Sequence, residues 1–306
     1  MAQNIFDMPG RFWRGNLHTH STDSDGVLGP EEVCQRYKDE GYDFIALTDH
    51  FIGAFGHPIT DTRLYRGNHF TTILGAELHS GAMENGELWH LLAVGLPPDF
   101  APSCTEGFVP EAGQETGPEI AWRAREAGAF VAVAHPEWSG LTTRDARSIE
   151  AAHAIEVYNH GCAVECDRPN GFYTLDQLLS EGRRLTLCAT DDAHFAAHDH
   201  FGGCVMVKAE ENDPDALLSA LKAGAFYAST GPEIIRVDWS EDAVSVRCSK
   251  ARSIIVQAQG SATAAVHGDA LTEATVPLKR CAESPWLRLT VVDDQGRRAW
   301  LNPHWR

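Results

Sequence analysis

A chain of 306 residues, 43% hydrophobic and 22% charged, is long enough for one large α/β barrel with a small accessory domain, and its composition is that of a packed globular protein. Its formal net charge of −18 repels polyanions. That excludes a protein gripping a nucleic-acid polymer along its phosphates, and leaves a small molecule as the expected partner.

Taken in chain order, apolar β-branched runs alternate with helical patterns from residue 16 to 230. Strands are predicted at Asn16–His20, Phe44–Thr48, Thr72–Ala76, His90–Gly95, Phe130–Ala134, Ala154–Tyr158, Leu185–Ala189 and Gly203–Val207. Between the first two, Pro30 opens a helix, Val33 and Tyr37 share a face, and Gly41 closes it. Gly117-Pro118-Glu119 starts a second helix that ends near Gly128, and Leu175–Leu179 lies in a third ending near Gly182. Asp213 caps a fourth, with Pro214 in its first turn and Gly224 after its end. Such alternation predicts a mostly parallel sheet, closed or nearly closed as a barrel. Residues 97–117 are rich in Pro, Gly and Glu and read as an irregular surface excursion.

After Gly231-Pro232 the helical pattern stops. Short alternating strands are predicted at Ile234–Trp239, Val244–Cys248, Ile254–Gln259, Leu287–Val292 and Arg298–Leu301. The expectation is a β/α barrel over residues 1–231 and an all-β accessory domain over 232–306. No stretch reaches the roughly 18 apolar residues that span a bilayer. The opening MAQNIFDMPG has neither a basic nor an apolar leader pattern, so a cytoplasmic protein without a membrane partner is expected. The eight cysteines are scattered, with only Cys162 and Cys166 close together, and read as free structural thiols.

Chemistry concentrates at the predicted strand ends. The first strand runs into His18-Thr19-His20, where alternate residues share a face, so both imidazoles can point at one ion. Asp23 and Asp25 follow. The second strand ends Thr48-Asp49-His50, the third at Glu77, the fifth at His135, and the seventh runs into Asp191-Asp192-Ala193-His194, while His90 opens its own strand. In a parallel barrel the strand C-termini share one face, so these residues converge. Six imidazoles with at least three carboxylates suit Zn, Mn or Fe better than Mg or Ca. That is too many donors for one ion, so two or three divalent ions are implied, with a carboxylate such as Glu77 as the bridge.

The segments NLHTHSTDSDG, FIALTDH, GAELHS, WHLLAVG, VAVAHPE and ATDDAHF, in that order over roughly residues 12–230, resemble the PHP (polymerase and histidinol phosphatase) superfamily of metal-dependent phosphoesterases. The resemblance implies a distorted seven-stranded β/α barrel holding up to three ions. It assigns His18, His20, Glu77 and Asp192 to the first ion, Glu77, His90 and His135 to the second, and Asp25, His50 and His194 to the third. SIIVQAQG and GRRAWLNP further resemble the β-appendage of a carbaryl-hydrolase-like branch, which cleaves a carbamate ester.

Other residues have a weaker claim on the site. Asp49 and Asp191 read as partners that orient ligands, and Asn159 and His160 as strand-end residues able to face substrate. His79, two residues after Glu77, is evenly balanced between sharing its face and a surface role, and His198 and His200 lie on a following loop. Arg63, Arg66, Arg144 and Arg168 follow strands, where one could hold a phosphate in a bidentate grip. The expected chemistry is hydrolysis of a small phosphomonoester, a nucleotide or sugar phosphate, by a metal-bridging hydroxide with Glu77, Asp192 and His194 at its centre. The alternatives are a carboxyl-ester, amide or carbamate hydrolase using the same site, and a non-catalytic module stabilised by its metals. No nucleophile elbow, P-loop, dinucleotide fingerprint or zincin helix motif is present.

Overall fold

The computed structural model describes residues 4–102 and 115–306. The first strand, β1 (Arg11–Asn16), is followed by α1 (Pro30–Asp39), β2 (Phe44–Leu47), the short β3 (His50–Phe51), β4 (Thr71–Ser80) and β5 (Trp89–Val94). Next come α2 (Gly117–Glu126), β6 (Phe130–Val133), α3 (Thr143–Ser148), β7 (Ala154–Asn159), α4 (His160–Cys166), α5 (Phe172–Ser180) and β8 (Thr186–Thr190). β9 (Cys204–Ala209), α6 (Pro214–Lys222) and β10 (Phe226–Ser229) complete the mixed α/β part. The remainder is β11 (Ile234–Trp239), β12 (Ala243–Ala258), β13 (Thr263–Pro277), β14 (Trp286–Val292), β15 (Arg298–Leu301) and β16 (His304–Trp305).

One large mixed sheet organises these elements, in the order β11-β12-β14-β15-β10-β9-β1-β2-β4-β5-β6-β7-β8. β1, β2 and β4 run parallel, as do β6, β7 and β8. β5 runs antiparallel to both of its neighbours, and β9 antiparallel to β1. β2 and β6 are buried along their whole length, as strands covered on both faces must be, which explains their continuous apolar runs FIAL and FVAV. Helix ends follow local chemistry. Asp213 caps α6, and Thr116 with Glu119 forms a reciprocal capping box on α2. α1 carries Glu31 and Glu32 in its first turn and Arg36 and Lys38 in its last, matching its dipole.

The structure departs from several expected boundaries. β1 ends at Asn16, so His18 and His20 lie beyond it. There Thr19 N–H takes the Thr48 hydroxyl instead of a carbonyl, which interrupts the ladder, and one parallel bridge from Thr19 to Ala193 holds the extension. Gly203, expected in a strand, packs against the Thr190 backbone where a Cβ would stand 2.3 Å from the carbonyl oxygen. The two strands expected at 244–248 and 254–259 are one, β12, with register shifts between Arg247 and Ser253. β13 and β10 had no predicted counterpart, and neither had α3 and α4. Of the excursion at 97–117, residues 103–114 lie outside the described residues. No described cysteine forms a disulfide, and no described helix is long and apolar enough to cross a membrane.

The C-terminal strands are fastened to the rest. β15 pairs with β10, and Trp286 and Trp300 enter the same core as Leu175, Leu178 and Leu187. Arg288 grips Asp176 on α5 through two hydrogen bonds of 2.7 and 2.8 Å. Asn302 accepts from Leu187 N–H (2.9 Å) and donates to the Gly224 and Phe226 carbonyls (3.1 and 2.8 Å), tying β8 to the start of β10. Asn302→Ala strips partners from three backbone groups. We expect it to lower the unfolding free energy by about 2–3 kcal/mol in urea melts, with unchanged slope. A loss below about 0.5 kcal/mol, the scatter of an ordinary surface change, would show that this amide holds nothing together.

Candidate metal centre

At the end of the sheet where β1, β2, β4, β6 and β8 finish, the chain delivers one polar donor after another into a shared hollow. β5 runs the other way, so its first residues reach the same end, and His90 on β5 stands opposite His79 of β4. Strand direction therefore brings His90, near the start of its strand, to the end where the other strands finish. His135 (φ +25°) and Asp192 (φ +57°) sit just past β6 and β8 in the left-handed region, an uncommon and costly backbone state for non-glycine residues that clusters at functional sites.

All nine sequence-derived candidates meet here. His20, Asp25, His50 and His194 form one group of donor atoms within 4.8 Å of one another. His18, His20, Glu77 and Asp192 form a second, and Glu77, His90 and His135 a third. His79 joins His50 and Glu77 in a fourth, so this histidine faces the cluster rather than solvent. The groups overlap through Glu77, His20 and His50. Glu77 Oε1 lies 2.8 Å from His90 Nδ1 and 3.2 Å from His135 Nε2, while its Oε2 lies 2.7 Å from His50 Nδ1. Asp192 Oδ1 stands 3.0 Å from His18 Nε2 and 2.9 Å from His20 Nε2. Asp25 reaches both His50 and His194 at 3.3 Å.

A second layer fixes how these donors point. His18 donates from Nδ1 to Glu156 (3.0 Å), which turns its Nε2 lone pair toward the hollow. Glu156 also accepts from the His135 backbone N–H, the Thr190 hydroxyl and the Asn159 amide. A register shift in β7 between Glu156 and Tyr158 lets Asn159 donate to Glu156 and Asp192, both at 3.0 Å. His194 Nδ1 donates to the Asp192 carbonyl, leaving Nε2 for Asp25. Asp49 accepts from Ser21, Ser24 and Thr60, and Asp191 from the Tyr37 hydroxyl and the backbone of Phe201, Gly202 and Gly203. Both organise loops around the cluster. Glu156 was not anticipated, and its only signal was a charged residue inside the buried run AIEVYN.

Besides His79 Nδ1, two buried atoms of this web make no well-aligned hydrogen bond despite close neighbours: His18 Nε2, 3.0 Å from Asp192 Oδ1, and Glu77 Oε2, 2.7 Å from His50 Nδ1. Buried polar atoms are rarely left so, and both are strong metal-ligating groups aimed at the same hollow. The residues therefore fit bound divalent cations. Electrostatics agree. Burial alone would raise the Glu77 carboxyl, yet His50, His90 and His18 hold it well below the usual carboxylate range. Burial would lower His50 and His194, but Glu77 and Asp25 lift His50 to about 10, and Asp25 and Asp192 lift His194 to about 9. His20 is pushed down to about 4 by burial and the neighbouring His50. Without metal, protons on the imidazoles do the neutralising.

The other candidates lie elsewhere. Arg63 is exposed and paired with Asp61, Arg144 is exposed and paired with Glu84, and Arg66 donates to the Thr72 carbonyl. Arg168 is exposed. Among the described residues, none of the four bonds to the cluster. His160 shares a hydrogen bond with the Tyr158 hydroxyl, His200 with Asp199, and His198 is exposed. Aromatic rings border the histidines instead. Trp138 stands edge-on to His135 (4.8 Å) and His90 (5.3 Å), and Phe55 stacks on His50 (6.2 Å).

Two outcomes follow. His50 and His194 carry protons at pH 7, so metal binding releases them, and affinity rises with pH until about 9 to 10. Calorimetric titration in buffers of different ionisation enthalpy measures this, and heats that do not change with the buffer would contradict it. Glu156→Gln keeps the shape but removes the charge behind His18, so metal affinity should fall about 10- to 100-fold. An unchanged affinity would make Glu156 a mere packing residue.

No family model matches the chain, and no curated protein matches it. Among solved structures it is similar to a two-domain protein from Bacteroides vulgatus containing a predicted PHP-like metal-dependent phosphoesterase, with 18% identity, 99% of each chain covered and a TM-score of 0.53. Two further likenesses each span 59% of this chain and 87% of the other at 15% identity: a metal-dependent phosphoesterase from Bifidobacterium adolescentis (TM-score 0.43) and an amidohydrolase from Chromobacterium violaceum (TM-score 0.44). Over essentially its whole length, the chain shares the fold of a protein that contains a PHP-like metal-dependent phosphoesterase.

Proposed function

We propose that the protein is a multinuclear metal hydrolase acting on a small phosphomonoester, a nucleotide or sugar phosphate. The observation that carries this reading is the overlap of the donor groups. Glu77 belongs to three of them, and His20 and His50 to two each, so ions held there would be close neighbours. Two or three divalent ions, Zn, Mn or Fe, would supply an activated water and neutralise the oxygens of an in-line phosphoryl displacement. The nine ligands proposed are His18, His20, Asp25, His50, Glu77, His90, His135, Asp192 and His194. Glu77 and Asp192 would hold the centre together, and Asn159, donating to Asp192, would keep that carboxylate oriented. Asp25, His50 and His194 would hold the ion that stabilises the departing alkoxide. Trp138 and Phe55 would restrict water at the mouth. The net charge of −18 favours a small substrate over a polymer.

We also read residues 1–231 as a distorted seven-stranded barrel and 232–306 as an all-β accessory domain, in a cytoplasmic protein. The Thr19–Ala193 bridge supports the barrel, since it joins the extensions of β1 and β8, the first and last strands of the seven-strand stretch β1-β2-β4-β5-β6-β7-β8 within the sheet. A second reading, cleavage of a carboxyl ester, amide or carbamate as in the carbaryl-hydrolase-like branch, is favoured by one observation. The rim offers aromatic rings and none of the four candidate arginines.

Enzyme reconstituted with Mn or Zn and offered aryl phosphate, aryl ester and aryl carbamate side by side separates the two. Phosphate turnover abolished by chelator supports the first reading, and ester or carbamate turnover with silent phosphate replaces it with the second. His20→Ala should lower turnover on the order of a thousandfold, the several kcal/mol that a metal centre contributes. An unfolded variant of a protein with no measurable activity would point instead to a structural role for the metals.

A further inference from the structure

The opposite end of the sheet holds a second concentration of chemistry. A cleft of about 400 Å³ opens there, lined among others by Arg125, His153, Arg183, Arg184 and Lys222, with Glu150 as its single acid. Four permanent cations on one small cleft are unexpected in a chain of net charge −18. Among the described residues none of the four forms an ion pair with a carboxylate, whereas Arg63, Arg123, Arg144, Arg147 and Arg288 all do.

Main-chain carbonyls hold three of them in place. Arg125 donates to Ala151 (2.9 Å), Arg183 to Ala146 and Ile149 (3.0 and 2.7 Å), and Lys222 to Gly128 (2.7 Å). Arg184 lies over the Trp305 ring at 5.0 Å. Carbonyls fix position without neutralising charge, and Glu150 and Glu181 act on Arg183 only from beyond ion-pair contact, so the cations are pre-organised at little entropic cost on binding. His153 adds a neutral donor. Its Nδ1 accepts from the Val131 backbone N–H (3.0 Å), so the ring proton sits on Nε2. Burial, Arg125 and Lys222 lower this imidazole to about 4, so it stays uncharged near neutrality.

We propose that this cleft binds a small phosphate-bearing anion at a site separate from the metal centre. A tetrahedral dianion matches the arrangement, because three guanidiniums, an ammonium and an imidazole N–H exceed what a single carboxylate can engage. The cleft lies where β7 and β8 begin, and the metal cluster lies where they end. β8 is five residues long, so the two sites stand about 15–20 Å apart. An anion held between residues 150–153 and 183–186 would bear on the strands that carry Glu156 and Asp192.

Inorganic sulfate, a weak metal ligand, is the probe. Thermal unfolding of the metal-loaded full chain is followed in sodium sulfate and in sodium chloride at matched ionic strength. General salting effects of sulfate act alike on all variants and cancel in the comparison. Wild type and His194→Ala should show the same extra, saturable stabilisation by sulfate. In Arg184→Gln/Lys222→Gln the apparent affinity should fall at least about tenfold. Arg125→Gln, at an exposed position, should weaken it in the same direction and stands in if the double variant fails to fold. Equal sulfate dependence in wild type and cleft variants would overturn the proposal and leave the cations as helix caps. Stabilisation lost in His194→Ala but kept in the cleft variants would place the anion at the metal cluster and overturn it equally.

Discussion

A carboxylate removed from water must meet positive charge, and Glu77 has no contact with solvent at all. Much of the architecture around it can be read as the answer to that demand. Histidines from four other segments surround it, and Asp192 and Glu156 then balance the imidazoles that have gathered. The reversed direction of β5 and the left-handed backbone at His135 and Asp192 are what let each segment bring its donor to the same point. In the absence of metal this cluster is a knot of shared protons, held by the strands rather than by its own attractions. Divalent cations would take over the role of those protons.

The site was more legible in the sequence than the fold that builds it. Metal-ligating side chains occur in short polar motifs at the ends of apolar strands, where polarity itself is conspicuous, and all nine candidates converge. Glu156 escaped because nothing in AIEVYN says which way its charge points until the register shift in β7 is known. The four arginines were assigned to the active face by chain position alone. Neighbouring acids such as Asp61 and Glu84, or backbone carbonyls, engage three of them first. His79 looked evenly balanced between surface and site, and burial against His50 decides it.

Strand errors have a different origin. β13 alternates exposed and half-buried positions along a ribbon that only β12 covers, so it has no apolar run to reveal it. β10 begins two residues after the Gly224 that follows α6, and its four residues are too few to show an alternation, so the local pattern leaves them unassigned. β12 was split at Ser249-Lys250 because alternation fails where its register shifts. In each case pairing with a distant strand supplied the information that local pattern lacked.

The closing bridge of the cluster has a consequence for the order in which the protein can be made. His20 and Asp192 touch across 172 positions, and His18 reaches Glu156 across 138. During synthesis the early histidines leave the ribosome well before the carboxylates that complete their site. A cation captured by the nascent chain can meet only part of its ligand set, and weakly. Tight binding begins only when the chain beyond His194 has emerged, and the link from β8 to Asn302 through Leu187 forms later still. Metal loading is thereby a late event relative to synthesis of the first ligands.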